Sequence, residues 1–234
     1  MATERRRTSQ SGQEIIEFGL VALLLIPLLL GTVIVGIGLI RSIQAQQVSR
    51  DLASIYIHGG DFSTYSMQQL AQKLSLGLNL QIGSSFTGNS AANTSNGGDM
   101  LVTVSQIMYV GPTTAANCVF VGASNCANHD SFVFTQRLQF GNASVSGWSG
   151  SCLGDPSTTA ITSNGALTAP VTDAGAKLPS AGQTNMTNLW QVSAGGQTPL
   201  VDGQVVYVME VYVQPPNLSL GMYSAGGIYV RYFF

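Results

Sequence analysis

The chain has 234 residues, a formal net charge of −2 and only 9% charged residues. Globular domains usually carry about 25% charged residues, and a chain this close to neutral has no electrostatic attraction for nucleic acid. Disorder driven by charge repulsion is also excluded, because 45% of the residues are hydrophobic. The length suits one or two domains.

A long uncharged segment follows the basic N-terminus. It runs from Phe18 to Ile40, and one acid, Glu17, stands immediately before it. As a helix these residues would extend about 35 Å at ~1.5 Å each, and a hydrocarbon core is roughly 30 Å thick. We therefore predict a membrane-spanning helix that Pro27 kinks or loosens locally.

The charges that flank this segment predict its orientation. Three arginines, Arg5–Arg7, precede it, whereas Arg41 and Arg50 follow it. By the positive-inside rule the N-terminus is cytoplasmic and residues beyond about 41 lie outside. The segment exceeds the ~7–15 apolar residues of a signal peptide, and no small-residue cleavage site follows Ile40, so we expect the helix to be retained.

Beyond Arg41 the pattern predicts two further helical stretches. Apolar residues among glutamines indicate an amphipathic extension of the membrane helix that ends at His58-Gly59-Gly60; they are Ile40, Ile43, Val48, Leu52 and Ile55. A second helix is predicted from about Thr64 to Leu76. Its apolar face would consist of Met67, Leu70, Ala71 and Leu74.

The remaining chain favours β-structure with long loops. Strands rich in β-branched and aromatic residues are predicted at Leu101–Val110, Ser131–Phe140, Val205–Val213 and Ile228–Phe234. We expect the last two to pair antiparallel. Residues 84–99 and 141–203 have loop composition, the latter with a short strand around Leu189–Val192. The predicted fold class is α+β: a long N-terminal membrane-spanning helix followed by an exported, mainly antiparallel β domain.

Three cysteines, Cys118, Cys126 and Cys152, lie in the part predicted to be exported, where disulfides persist. A bridge between Cys118 and Cys126 would close a short loop and is preferred, and the fate of Cys152 is open. The alternative is that all three are small buried thiols. A zinc site is disfavoured, since there is no C-x-x-C and His129 is the only nearby histidine.

A catalytic or metal-dependent role has little support in the sequence. His58 and His129 lie in loop-like contexts, and no hydrolase, zinc-protease or nucleotide-binding motif occurs. Five aspartates could offer loop oxygens to calcium, but turn formation explains them better; they are Asp99, Asp130, Asp155, Asp173 and Asp202. We expect no enzyme activity, no metal and no cofactor.

The N-terminal residues carry a family resemblance. Gly12-Gln13-Glu14-Ile15-Ile16-Glu17-Phe18, with a basic leader before it and the apolar run after it, resembles the prepilin processing site G|xxxxE[FY]. Over residues 11–55 the sequence resembles the TadE-like family, the minor pseudopilins of the tight-adherence (Tad, Flp) pilus system.

The resemblance implies specific roles for four residues. Gly12 would be the last leader residue and Gln13 the first mature residue, after cleavage by a prepilin peptidase. Glu17 would pair with the free N-terminal amine of a neighbouring pilin or pseudopilin subunit, and Phe18 completes the motif. The implied division is a leader at 1–12, a helix with its extension at 13–58 and an exported domain at 59–234.

The sequence thus predicts a structural pilus subunit of the inner (cytoplasmic) membrane, with its C-terminal domain periplasmic or extracellular. One alternative is a signal-anchored periplasmic binding or adhesion module whose helix is only a tether. Another is a membrane-tethered hydrolase, which would need an acid/base cluster around His129. For Glu17 itself, the alternative is an interfacial carboxylate that reaches water.

Overall fold

A computed structural model describes residues 5–83, 92–95, 97–145, 153–157, 161–190, 200–214, 219–220, 223–224 and 227–234. Its first element, helix α1 (Arg5–Ile57), is continuous through Pro27. It ends at the predicted glycine pair, where Gly59 has a φ of +89°, a conformation that glycine adopts without steric cost. Helix α2 (Tyr65–Leu74) follows, and a short 3₁₀ turn (Leu76–Leu78) ends at left-handed Asn79.

The domain is built on one five-stranded sheet. In chain order its strands are β1 (Ala92–Ser95), β2 (Met100–Val110), β3 (Ser131–Asn142), β4 (Val205–Val213) and β7 (Ile228–Phe233). Their spatial order is β1-β3-β2-β4-β7. Only β1, beside β3, pairs parallel, so the mainly antiparallel sheet and the antiparallel β4–β7 pair are confirmed. Two short strands, β5 (Ser219–Leu220) and β6 (Tyr223–Ser224), form a separate pair.

The two faces of the sheet are covered by different parts of the chain. The C-terminal half of α1 packs on the inner face, which includes Val102, Val104, Met209 and Val211. On the outer face, described residues within 153–157 and 161–190 pack over Ile107, Phe134, Val206 and Val208. The register of β2 on β3 shifts between Gln106 and Ile107. Such a bulge reverses the side-chain alternation of a strand, so Phe134 faces outward whereas Leu138 and Phe140 face α1.

Two connecting regions contain helices where the sequence predicted none. Helix α3 (Ala116–Val121) lies in the loop between β2 and β3. Helix α4 (Ser180–Trp190) occupies part of the stretch predicted to be irregular, so a strand beginning at Leu189 is wrong. Small and polar residues dominate α4, and it buries only Gly182 and Met186, so its sequence carries little helical periodicity.

The predicted apolar faces of α1 and α2 are only partly correct. Ile40 and Ile43 are exposed, and in α2 so are Leu70 and Leu74. Tertiary packing selects small and polar residues instead: α2 buries Ala71 and Gln68, whose Nε2 donates to the Phe62 carbonyl at 2.8 Å. The buried face of α1 consists of Ala45, Val48, Ser49, Leu52, Ala53 and Tyr56.

Candidate assembly helix

The N-terminal half of α1 leaves most of its apolar surface exposed. From Ile15 to Ile43 its large apolar side chains are 38–76% exposed, apart from half-buried Ile34 and Ile37. Exposed apolar surface on this scale marks a membrane or protein interaction site. α1 is the one described helix long and apolar enough to cross a membrane, over Gly12–Ile57.

The predicted processing and assembly residues lie at the start of this exposed surface. Gly12, Gln13, Glu17 and Phe18 are all helical and exposed, and Phe18 is exposed by 75%. Glu17 follows Gln13 by four residues, so the two lie on the same side of the helix one turn apart. The fold leaves these four positions accessible to another molecule.

The backbone of the exposed half has one weakened turn. Pro27 has no N–H to donate to the carbonyl of Leu23, so one helical hydrogen bond is missing there. Just beyond it, the Thr32 hydroxyl donates to the Leu29 carbonyl at 2.8 Å. Hydroxyls that bond back in this way satisfy their own donor in an apolar environment.

The C-terminal half of α1 fixes how the helix meets the domain. The ring of Tyr56 makes an edge-to-face contact with that of Tyr207 in β4, with 5.3 Å between the ring centroids. The Tyr56 hydroxyl donates to Gln136 Oε1 of β3 at 2.8 Å. Ile228 and Val230 of β7 pack on the same core. The helix is therefore attached to the central and the last strands of the sheet, and its exposed half projects away from the domain.

The sequence did not predict a charged network on the outer face. Arg137 of β3 donates to Glu210 of β4 at 3.2 Å, to Ser105 at 2.8 Å, and to Asp155 at 3.0 and 2.5 Å. The Tyr229 hydroxyl donates to the other oxygen of Glu210 at 2.6 Å. The Arg137 and Glu210 side chains are 4% and 0% exposed, and a buried charge pair needs such hydrogen bonds to be tolerated. The one available signal was an acid within the apolar strand VVYVMEVYV.

A disulfide and a carboxylate brace the loop after β2. Cys118 and Cys126 form the bridge that the sequence favoured; Cys152 lies outside the described residues. Asp202 accepts hydrogen bonds from the Gly111 amide at 2.7 Å and from the amide and side chain of Asn117, both at 3.0 Å. Burial alone would raise the pKa of Asp202, but these donations outweigh it and hold that pKa below its ordinary value.

The loop closed by the disulfide carries an exposed aromatic residue. Phe120, between the two bridged cysteines, is 92% exposed. Within β2, Gln106 lies at the level of Tyr56. Val110, the last residue of the strand, lies about 13 Å further along it, at ~3.3 Å per residue. The loop therefore lies past the C-terminal end of α1, at the pole of the domain farthest from the exposed half-helix.

The structure does not bring the histidines into an acid/base cluster. His58 Nδ1 lies 2.7 Å from the Ser54 carbonyl oxygen, and His129 Nδ1 lies 3.5 Å from the carboxylate of the adjacent Asp130, both side chains being exposed. Asp173 accepts from the Gly175 amide in a turn, as predicted, whereas Asp155, for which a turn was also predicted, pairs with Arg137. Within the described ranges no group of three or more His, Cys, Asp or Glu could hold a metal ion.

These features define a class of protein: one candidate membrane helix near the N-terminus whose second half is built into an α+β domain. Comparison with known proteins adds a similarity over α1. A family model described as "TadE-like protein" matches residues 12–54, which confirms the predicted resemblance over that part of the chain and suggests an association with Tad pili. No curated protein and no solved structure matches the chain.

Proposed function

We propose that this protein is a structural minor pseudopilin of a Tad/Flp-type pilus, anchored in the inner membrane by α1. The observation that carries the proposal is the exposed apolar half of α1, which begins at Ile15, beside Glu17, and lies within the TadE-like match. Only lipid or the helices of other subunits can cover such a surface in an aqueous cell. The proposed organisation is a leader at 1–12, the helix and its extension at 13–58, and an exported domain at 59–234.

Assembly begins with removal of the leader. A prepilin peptidase cleaves between Gly12 and Gln13, and the N-terminus of the precursor is cytoplasmic. The new amine on Gln13 then lies near the membrane edge together with two carboxylates, those of Glu14 and Glu17. A carboxylate drawn into the bilayer without a partner costs a few kcal/mol, and the amine of a neighbouring subunit would offset that cost and define the axial register between the two helices.

A tether is the second candidate function. A periplasmic binding or adhesion module would use α1 only as an anchor, with Glu17 reaching the water at the membrane surface, and the exposed Phe120 is the observation that favours it. Such a protein would retain its leader. N-terminal sequencing of the membrane-extracted protein therefore separates the two functions: a start at Gln13 supports the pseudopilin, and an intact leader supports the tether.

The charge pairing has its own test. We expect Glu17→Gln to lower incorporation of the subunit into pili by about tenfold, equivalent to the loss of roughly 1.4 kcal/mol of pairing. The matched control is Glu14→Gln, which removes the other acid of the same helical turn. Quantitative immunoblots of sheared pili and of membranes, from cells with the cognate pilus system, give the incorporated fraction. Equal incorporation of both variants would contradict the pairing.

A further inference from the structure

We propose that the turn after α2 rests on the outer surface of the bilayer, with Leu76 at the headgroup–acyl boundary and Lys73 among the lipid phosphates. The proposal depends on the membrane anchoring of α1 described above and not on its role in a pilus. It commits to one partner, a phospholipid bilayer. The function proposed for the helix does not require this contact.

The turn Leu76–Leu78 lies just beyond the end of the uncharged run of α1, measured along the helix axis. The uncharged run ends at Ile40, and Gln44 lies about 6 Å further along the helix axis. A Cβ placed on Gly77 would lie 3.3 Å from Gln44 Oε1, so the turn Leu76–Leu78 touches α1 at that position. The headgroup layer is about 5–7 Å thick on each side of the hydrocarbon core, which places the turn within it.

The turn also lies at the end of the domain that faces the membrane. Leu80, just after it, packs on the core beside Gly141, next to the first residues of β2 and opposite the Phe120 pole. The segment that holds α2 begins after Phe62, whose ring lies against those of Tyr56 and Phe140, and it ends in the turn where Gly77 lies against Gln44. The turn therefore forms the underside of the domain, adjacent to the emerging helix.

The chemistry of the underside suits a lipid surface. Leu76 is 77% exposed, and Leu74 beside it is exposed by 43%. Ile43, the residue of α1 immediately before Gln44, is also exposed. Lys73 lines the same shallow groove as Leu76, and a lysine next to apolar side chains places its stem in the acyl region and its ammonium among phosphates.

Fluorescence quenching tests the contact in the full-length protein. Single tryptophans are introduced as Leu76→Trp, Leu25→Trp and Phe120→Trp, each in a W148F/W190F background, and the proteins are reconstituted singly into phosphatidylcholine nanodiscs. Bromine atoms on the lipid acyl chains near the headgroup quench only tryptophans that contact lipid. Leu25→Trp reports insertion of α1, and Phe120→Trp is a strongly exposed control at the far pole.

We expect Leu76→Trp to lose emission in brominated discs and to emit at shorter wavelength than Phe120→Trp, which should be unaffected. If Leu25→Trp is quenched but Leu76→Trp behaves like Phe120→Trp, the contact is overturned while the anchoring stands. Protection of Leu76→Trp from both bromine and aqueous acrylamide would mean that protein covers it, which also overturns the proposal. If Leu25→Trp is not quenched, the anchoring itself fails.

Discussion

The two halves of α1 belong to one continuous helix but have opposite surroundings. Before Ile43 the large side chains project into open space, whereas from Ala45 onward one face is buried against the sheet. The packed half has Ala45, Ser49 and Ala53 between larger buried side chains, and these small residues let the helix lie close to the strands. One continuous helix therefore lies in two environments, and the variants below test the difference between the packed and the exposed parts of the molecule.

The largest effect is expected from shortening a leucine in the packed half. Leu52→Ala removes a side chain that is fully buried in the inner core, and such a change should lower the free energy of unfolding of the domain by about 2–5 kcal/mol. The matched variant Leu25→Ala, in the exposed half, should leave that free energy unchanged. Guanidinium unfolding in detergent, followed by near-ultraviolet circular dichroism, measures both; similar losses would erase the distinction between the halves.

The next effect concerns the pole farthest from the exposed helix. Cys118→Ser combined with Cys126→Ser opens a loop with a sequence separation of 8. The chain-entropy estimate for so short a loop is about 2–3 kcal/mol of domain stability. Membrane extraction should be unaffected, because α1 provides the anchor. Unfolding curves with and without reductant provide the check: a reductant should destabilise the wild type but leave the double variant unchanged.

The smallest effect is expected at Asp202, and it depends on pH. Because the folded-state pKa of Asp202 is lowered, its stabilising effect is present above the ordinary aspartate pKa of about 4 and is lost as the pH falls through the folded value. Asp202→Asn should therefore destabilise the domain at neutral pH, by less than about 2 kcal/mol, and the gap to wild type should narrow on acidification. Exposed Asp51→Asn is the control, and a pH-independent gap would refute the charge effect.

Local composition was enough to predict the elements that are determined by residues close together in the sequence. The apolar run predicted α1, the glycine pair predicted its end, and the β-branched strands β4 and β7 were placed with their antiparallel pairing. The Cys118–Cys126 bridge followed from the short loop it closes. In each case the controlling residues are close in sequence or unusually dense in one residue class.

Elements that depend on distant partners could not be predicted in this way. Arg137 and Glu210 are 73 residues apart, and only the sheet register brings them together. α4 has a helical pattern too weak to recognise, and Leu70 and Leu74 were placed in a core from which the fold excludes them. Of the candidate site, the sequence predicted the processing and assembly positions on α1. It did not predict that the second half of α1 packs against β7, the last strand of the sheet.

The packing of α1 against β7 has a consequence for biosynthesis. The first helix and the final strand share one core, in which Ile228 and Val230 pack beside the buried face of α1. Residues 228–233 are synthesised long after the helix, so the part of its buried face that meets Ile228 and Val230 gains these partners late, after β2, β3 and β4 have been made.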